Sequence, residues 1–400
     1  MTSAPRTIGV VTVGRSDYSI YIPILHKIQE DLDLQLHLIV SGMHLSAEFG
    51  LTVEAIEADG FQIGDRVEML LSSDTPEGIA KSMGLAMIGF AQAYARSRPD
   101  ILVVLGDRFE MHAVALAALP FKIPVAHIHG GEITRGAIDD ALRHSITKLS
   151  HLHFVSTEEA ARRVRQMGEE PWRIVISGAP ALDNIGSIKL LTREELAEYI
   201  GVPLDKPTLL VTFHSVTLEY EQTYWQFGEL LAALDACGMR VVFTMPNADT
   251  NGRVITRMIQ EFAKHNPSAK LVANLGTQAY FSLMACAVAM VGNSSSGVLE
   301  APSFKLPVVN IGTRQQGRTK PKNVIDVGYE RDGIVNGIRR AISSQFRLSL
   351  HDLVNPYGNG HASEVIIKYL KQVVLDDRLL VKNFVDEPMP STEERAFGHN

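Results

Sequence analysis

Short runs of apolar and β-branched residues punctuate the first half of the chain: Ile8 to Val13, Gln35 to Val40, Ile101 to Leu105, Val125 to His129 and Ile174 to Ser177. Such short, continuous runs suit parallel strands covered on both faces, with amphipathic segments between them as helices. Helix starts fit the pattern. Asp17 precedes the segment running to Glu30, and Ser156 with Glu159 and Thr192 with Glu195 have capping-box spacing. After Lys206-Pro207 the alternation restarts with Thr208 to Phe213, Arg240 to Thr244, Leu271 to Ala273, Val288 to Val291 and Pro307 to Ile311. Two successive βα series predict an α/β protein of two Rossmann-like, doubly wound domains facing a cleft, with ligands at the carboxyl ends of the strands. Gly178 to Pro203, carrying Pro180 and Gly186, reads as the connector, with the boundary near Asp183. The expected division is 1–183, 184–360, a C-terminal helix within 361–385 (about His361 to Val374) and a loose polar tail, 386–400, holding Pro388 and Pro390.

A length of 400 residues suits two domains, and 46% hydrophobic residues against 21% charged supply two cores. Lysine and arginine number 38 against 45 acidic residues, a net charge of −7, so nothing draws the whole molecule to nucleic acid or anionic lipid. Any polyanion must meet a local positive site. Cys237 and Cys286 are the only cysteines, which excludes a disulfide framework and a thiolate zinc site and fits a reducing cytoplasm. Met1 to Thr7 lacks the apolar core of a signal peptide. The longest apolar stretch, Met111 to Ile128, is broken by Pro120, Lys122 and Pro124, so a soluble cytoplasmic protein is expected.

Polar residues collect just after the expected strands. Gly14-Arg15-Ser16-Asp17-Tyr18-Ser19 opens a helix whose free N–H groups and Arg15 favour an anion, although a capped helix with a surface arginine explains it equally well. GxGxxG and GxxxxGK[ST] are both absent, which removes the usual support for dinucleotide or ATPase chemistry. Gly292-Asn293-Ser294-Ser295-Ser296-Gly297 is a better phosphate cradle, with small residues, hydroxyl donors and a helix start. Downstream, Glu300 is placed to accept ribose hydroxyls, or simply to compensate a helix dipole, and Gly312-Thr313-Arg314 supplies a second guanidinium. In the first half, Gly106-Asp107-Arg108-Phe109-Glu110, His127-Ile128-His129-Gly130-Gly131-Glu132 and Asp139-Asp140 bring acidic groups to one sheet edge, with Arg143 and His144 at i,i+4 to the last pair. His127 with His129, and His151 with His153, have strand spacing, yet HExxH and Cys/His patterns are missing, so packing outweighs a zinc or manganese site. His214 ends the first strand of the second half, a candidate acid, base or phosphate ligand.

These segments, together with Arg143-His144 and Ile146-Thr147-Lys148, resemble the hydrolysing UDP-N-acetylglucosamine 2-epimerases of sialic and legionaminic acid synthesis. The motifs occur in order, from about Thr7 to Leu375. The resemblance implies a glycosyltransferase-B type fold, catalysis with no metal and no cofactor, a UDP-sugar substrate and a homodimer or homotetramer. It carries UDP binding to Arg15, Ser19, Arg108, His214, Asn247, Ser294, Ser295, Glu300 and Arg314, and catalysis to Asp107, Asp139 and His214. One departure stands out: relatives that make N-acetylmannosamine usually show HxEGGE, whereas here His129 holds the third place and Glu132 remains. Two sugars stay open, the N-acetylglucosamine and the 2,4-diacetamido-trideoxy type.

A C2 hydrogen beside an acetal carbon is barely acidic, so departure of UDP must lead. Cationic and amide contacts to the diphosphate let the C1–O bond break toward an oxocarbenium ion. Loss of the C2 proton gives a 2-acetamidoglycal, which is protonated from the opposite face and takes water at C1. Asp107, His129, Glu132, Asp139 and His214 form the proton-handling pool, with Asp107 foremost. Three alternatives compete: a glycosyltransferase of the same architecture, which would need an acceptor groove; a non-catalytic UDP-sugar sensor, which would not need the carboxylates; and a zinc hydrolase, which a chelator would stop.

Overall fold

The computed structural model describes residues 4–73, 75–134, 138–245, 252–272 and 275–386. The described residues of 1–132, 141–177 and 363–400 form one compact unit, and those of 133–140 and 178–362 a second.

Seven strands build the first sheet: β1 (Arg6–Thr12), β2 (Leu34–Ser41), β3 (Ile63–Val67), β4 (Ile101–Leu105), β5 (Val125–Ile128), β6 (Leu152–Val155) and β7 (Ile174–Ile176). They lie in the order 3-2-1-4-5-6-7, every pair parallel. All residues of β4, β5 and β6 are buried, as helices on both faces require. Chain order reverses between β1 and β4, so the loops after them diverge and leave a crevice at their carboxyl ends.

The second sheet repeats this plan with β8 (Thr208–Thr212), β9 (Arg240–Thr244), β10 (Ala269–Val272), β11 (Ala289–Gly292), β12 (Val308–Ile311) and β13 (Val324–Val327), in the order 10-9-8-11-12-13. Its reversal lies between β8 and β11. Both domains are therefore doubly wound, as the strand pattern predicts. The edge strands β3 and β13 escape that pattern because IGDRV and VIDV are short and carry charges. Only the spacing of His151 and His153 hinted at β6.

Two helix starts differ from expectation. The first helix runs Arg15–Glu30 from Gly14, and Asp17, rather than capping it from outside, sits in its first turn. The helix Glu158–Gln166 is capped by Thr157, whose side chain accepts from the Ala160 N–H, which releases Ser156 for another partner. Thr192 and Glu195 do form the expected reciprocal box.

The helix Ala362–Gln372 packs Ile366 and Leu370 into the core of the first unit. Beyond it the chain is strapped down by Arg173, a fully buried side chain that donates to the carbonyls of His151, Arg378, Leu379 and Val381. Lys382 reaches the buried Glu169 carboxylate, which also takes Lys148 and His153. No helix of the described residues is long and apolar enough to cross a membrane.

Candidate active site

At the first reversal point, Gly14 provides no side-chain cap, so the opening N–H groups of the helix Arg15–Glu30 stay uncapped beside the exposed Arg15. One turn on, the Ser19 hydroxyl donates to the Ser16 carbonyl at 3.1 Å. Asp17 points back into the protein and accepts from Thr12 Oγ1 and the Val13 N–H, both at 2.8 Å. Burial pushes its pKa up to about 6, against the pull of those hydrogen bonds and of Arg108. His44 lies 2.9 Å from the same threonine hydroxyl and is held neutral, its pKa lowered to about 4 by burial.

The turn after β4 presents Asp107, which accepts from the buried Arg143 of the helix Ile138–Leu149. Arg108 forks onto the fully buried Glu110, at 3.1 Å from Nε and 2.6 Å from Nη2, so part of this expected UDP ligand is committed within the protein. From β5, His127 reaches across to the Gly106 carbonyl at 2.8 Å through Nε2. Burial depresses its pKa to about 3, so the ring is neutral, and Nε2 carries the hydrogen because a carbonyl can only accept.

His129 adopts φ +66°, a left-handed conformation that costs a non-glycine residue about 1–2 kcal/mol. Its Nδ1 lies 2.7 Å from Glu132 Oε1, and the Ser156 hydroxyl donates to that same oxygen at 2.8 Å. Asp139 stands in the first turn of the helix Ile138–Leu149, and Asp140 accepts from the Thr134 N–H at 2.8 Å. His153 is turned to Glu169 and His151 accepts from the Val125 N–H. Among the described residues no group of three or more His, Cys, Asp or Glu is arranged to hold a metal ion.

At the second reversal point the fully buried Asn293 is the hub. Its amide donates to the His214 carbonyl at 2.8 Å and accepts from the His214 N–H at 2.7 Å, joining the turns after β8 and β11. Its backbone carbonyl receives Arg314 Nη1 at 3.1 Å and Gln315 Nε2 at 2.9 Å, which adds the turn after β12. Only glycine fits at 292: φ is +135°, and a Cβ would fall 1.9 Å from the Thr212 carbonyl oxygen. The imidazole of His214 is neutral, its pKa lowered to about 3 by burial and by Arg314, so it is a neutral hydrogen-bonding group and not a resident cation.

Ser294 accepts from the Ser296 N–H, and Ser295 precedes the short helix Ser296–Leu299 without a side-chain cap bond, with Glu300 at its other end. Burial pushes the Tyr280 phenol up to about 12, against the pull of Ser296, Thr212 and Ser294. Behind Arg314, the Glu219 carboxylate takes Thr313, Tyr329 and Gln226, which braces that loop. Asn247 lies outside the described residues.

The two reversal points therefore gather Arg15, Ser19, Asp107, Arg108, His129 and Glu132 in one domain, and His214, Ser294, Ser295, Glu300 and Arg314 in the other. Of the residues that hold them, sequence reasoning gave Arg143, Glu110, Ser156 and Asn293 other roles and passed over Gln315 and Tyr280. Asn293 had a readable signal, an amide directly after a glycine-ended strand.

Comparison with known proteins identifies the family and the fold. A family model described as UDP-N-acetylglucosamine 2-epimerase matches residues 26–371. The GDP/UDP-N,N'-diacetylbacillosamine 2-epimerase (hydrolyzing) of Campylobacter jejuni is 42% identical, over 95% of this chain and 99% of its own length. The UDP-N,N'-diacetylbacillosamine 2-epimerase (hydrolyzing) of Legionella pneumophila is 38% identical, over 94% and 98%. In fold, the chain is similar to the UDP-GlcNAc 2-epimerase of Neisseria meningitidis in its crystal structure with UDP-GlcNAc, with a TM-score of 0.78 at 18% identity, covering 91% of this chain and 99% of that one.

Proposed function

Because the chain belongs to the UDP-N-acetylglucosamine 2-epimerase family, we propose that it hydrolyses a UDP-linked 2-acetamido sugar with inversion at C2, releasing UDP and the free manno-configured sugar. The observation that carries the reading is the division of chemistry between the reversal points, with carboxylates and imidazole after β4 and β5 and an anion cradle after β8, β11 and β12. Ser294, Ser295 and the helix start receive the diphosphate, Arg314 balances its charge, and Glu300 takes the ribose hydroxyls. Arg15, Ser19, Arg108, Asn247 and His214 complete the UDP contacts. As the C1–O bond breaks, Asp107, held in place by Arg143, takes the C2 proton, and Asp139 belongs to the same proton-handling group.

The sugar is the UDP-linked 2,4-diacetamido-2,4,6-trideoxy type. Two nearly full-length relatives named for it and the histidine at 129 favour this choice. The product then feeds legionaminic acid synthesis, and the enzyme acts in the cytoplasm as a homodimer or homotetramer. Proton NMR with each of the two UDP-sugars in deuterated water tests all of this chemistry. Preferred turnover of the diacetamido substrate, with deuterium at C2 of a manno-configured product, is expected. Release of unepimerised sugar would favour a transferase, and binding without turnover would leave a sensor.

A further inference from the structure

The epimerase reading needs two proton-handling groups on opposite faces of the sugar, and only one has so far been given an identity. Asp107 and His129 follow directly on neighbouring strands: Leu105 pairs with Ile128, and the Gly106 N–H donates to the Ile128 carbonyl. The two side chains therefore leave the same sheet edge side by side.

His129 is held unusually firmly for a loop residue. Its N–H donates to the Phe154 carbonyl on β6 at 3.0 Å, and Arg163 grips the Gly131 carbonyl two residues on. Left-handed backbone at a histidine, fixed from both sides, is strain of the kind that surrounding structure must enforce, and such strain concentrates at working sites. The side chain is fixed as well. A carboxylate only accepts, so Nδ1 carries the hydrogen toward Glu132 and the tautomer is set. Ser156 donates to the same oxygen and stops the carboxylate from rotating. Nε2 has no partner among the described residues. Oε1 of Glu132 is shared by His129 and Ser156, which couples the carboxylate to the imidazole.

We propose that Ser156, Glu132 and His129 form a relay whose working end is Nε2 of His129, and that this imidazole carries the second half of the reaction. The proposal rests on the epimerase reading. In the first half the C1–O bond breaks and the C2–H electron pair becomes the C1–C2 double bond; UDP leaves and the proton passes to Asp107 and then to solvent. In the second half the double bond takes the Nε2 proton at C2, from the face opposite Asp107. Water adds to the cation at C1 and returns a proton to Nε2. The imidazolium is restored and the glycal has gained one water. Glu132 accepts from Nδ1 through both steps, which leaves Nε2 as the nitrogen that gives and regains the proton, and Ser156 keeps Glu132 in line.

The test compares wild type with H129Q, E132Q and S156A on the diacetamido UDP-sugar, following UDP, glycal and epimerised sugar separately. H129Q is expected to release UDP and glycal while forming epimerised sugar at least about 100-fold more slowly. E132Q should lower kcat for sugar formation roughly 10–100-fold with little change in KM, and S156A should act in the same direction more weakly. UDP affinity and melting temperature serve as fold controls, and the milder S156A decides the matter if H129Q does not fold. Epimerised sugar at the wild-type rate from H129Q overturns the relay. So does a parallel loss of UDP release and sugar with no glycal. Wild type that fails to invert C2 overturns the epimerase reading instead, before any variant is compared.

Discussion

Replacing Asn293 by alanine removes the amide that bonds the His214 backbone in both directions, at 2.7 and 2.8 Å, while leaving the Asn293 carbonyl in place for Arg314 and Gln315. Two hydrogen bonds worth about 1 kcal/mol net each are lost, and taking the low end, about 1 kcal/mol, for the buried backbone groups left unsatisfied brings the total to roughly 3 kcal/mol. For a domain of this size about 1 kcal/mol corresponds to roughly 2–4 °C, so the melting temperature should fall by about 6–12 °C. If UDP binds only when the turns after β8 and β11 are docked, up to that same free energy appears as weaker affinity, a roughly 10–100-fold rise in Kd. Calorimetric titration with UDP beside thermal melting reads both quantities. Asn293→Asp separates hydrogen bonding from packing: the volume is kept, but the second oxygen now faces the His214 carbonyl, so this variant should be at least as weak as the alanine. UDP affinity within twofold of wild type in both variants would refute the idea that this amide shapes the nucleotide site.

Arg173→Met should destabilise the first domain by about 3–5 kcal/mol, because four carbonyls and Glu170 lose a buried guanidinium. Faster amide exchange in 376–385 would locate the effect on the strap, and unchanged exchange there would count against it. His127→Leu takes the donor from the Gly106 carbonyl beside Asp107, so kcat should fall about tenfold while UDP affinity, for which the proposed cradle after β8, β11 and β12 is the main source, holds; equal loss in both would contradict that separation. Acid stability follows from four buried neutral histidines. His44 and His151 are lowered to about 4, and His127 and His214 to about 3, in each case by burial first. A depressed folded pKa means that stability is fully present above the ordinary value near 6.5 and is lost as pH falls toward 4 and 3. Urea unfolding should therefore be level from pH 8 to 7 and weaken steadily from 6.5 to 5; equal stability at 7.5 and 5 would contradict this.

What the chain displays openly is position along itself. Continuous apolar runs marked ten strands of the two sheets, and the polar residues after them marked the edge where chemistry sits. What it does not display is the partner across the fold. Spacing invited Arg143 to pair along its own helix, yet its guanidinium reaches Asp107, 36 residues away. Ser156 looked like a helix cap until Thr157 took that place, and it serves Glu132, 24 residues away. Asn293 reaches back 79 residues to His214, and Arg173 forward 208 to Val381. Long-range pairs of this kind leave no periodicity, so a reading by period passes over them.

Strand order supplies what periodicity lacks. Side-by-side parallel strands release their loops side by side, so a sheet running 4-5-6 must set Asp107, then His129 with Glu132, then Ser156 along one edge. A sheet running 8-11-12 does the same for His214, Asn293 and Arg314. The hydrogen bonds observed run between these neighbouring tips: Ser156 to Glu132, His127 to Gly106, Asn293 to His214 and Arg314 to Asn293. The reactive groups are thus organised by adjacency in the sheet. A substitution that shifts the register of β5 against β4 or β6 should disturb the proton-handling groups without touching one of them, whereas the anion cradle, built on a different sheet, should continue to bind UDP.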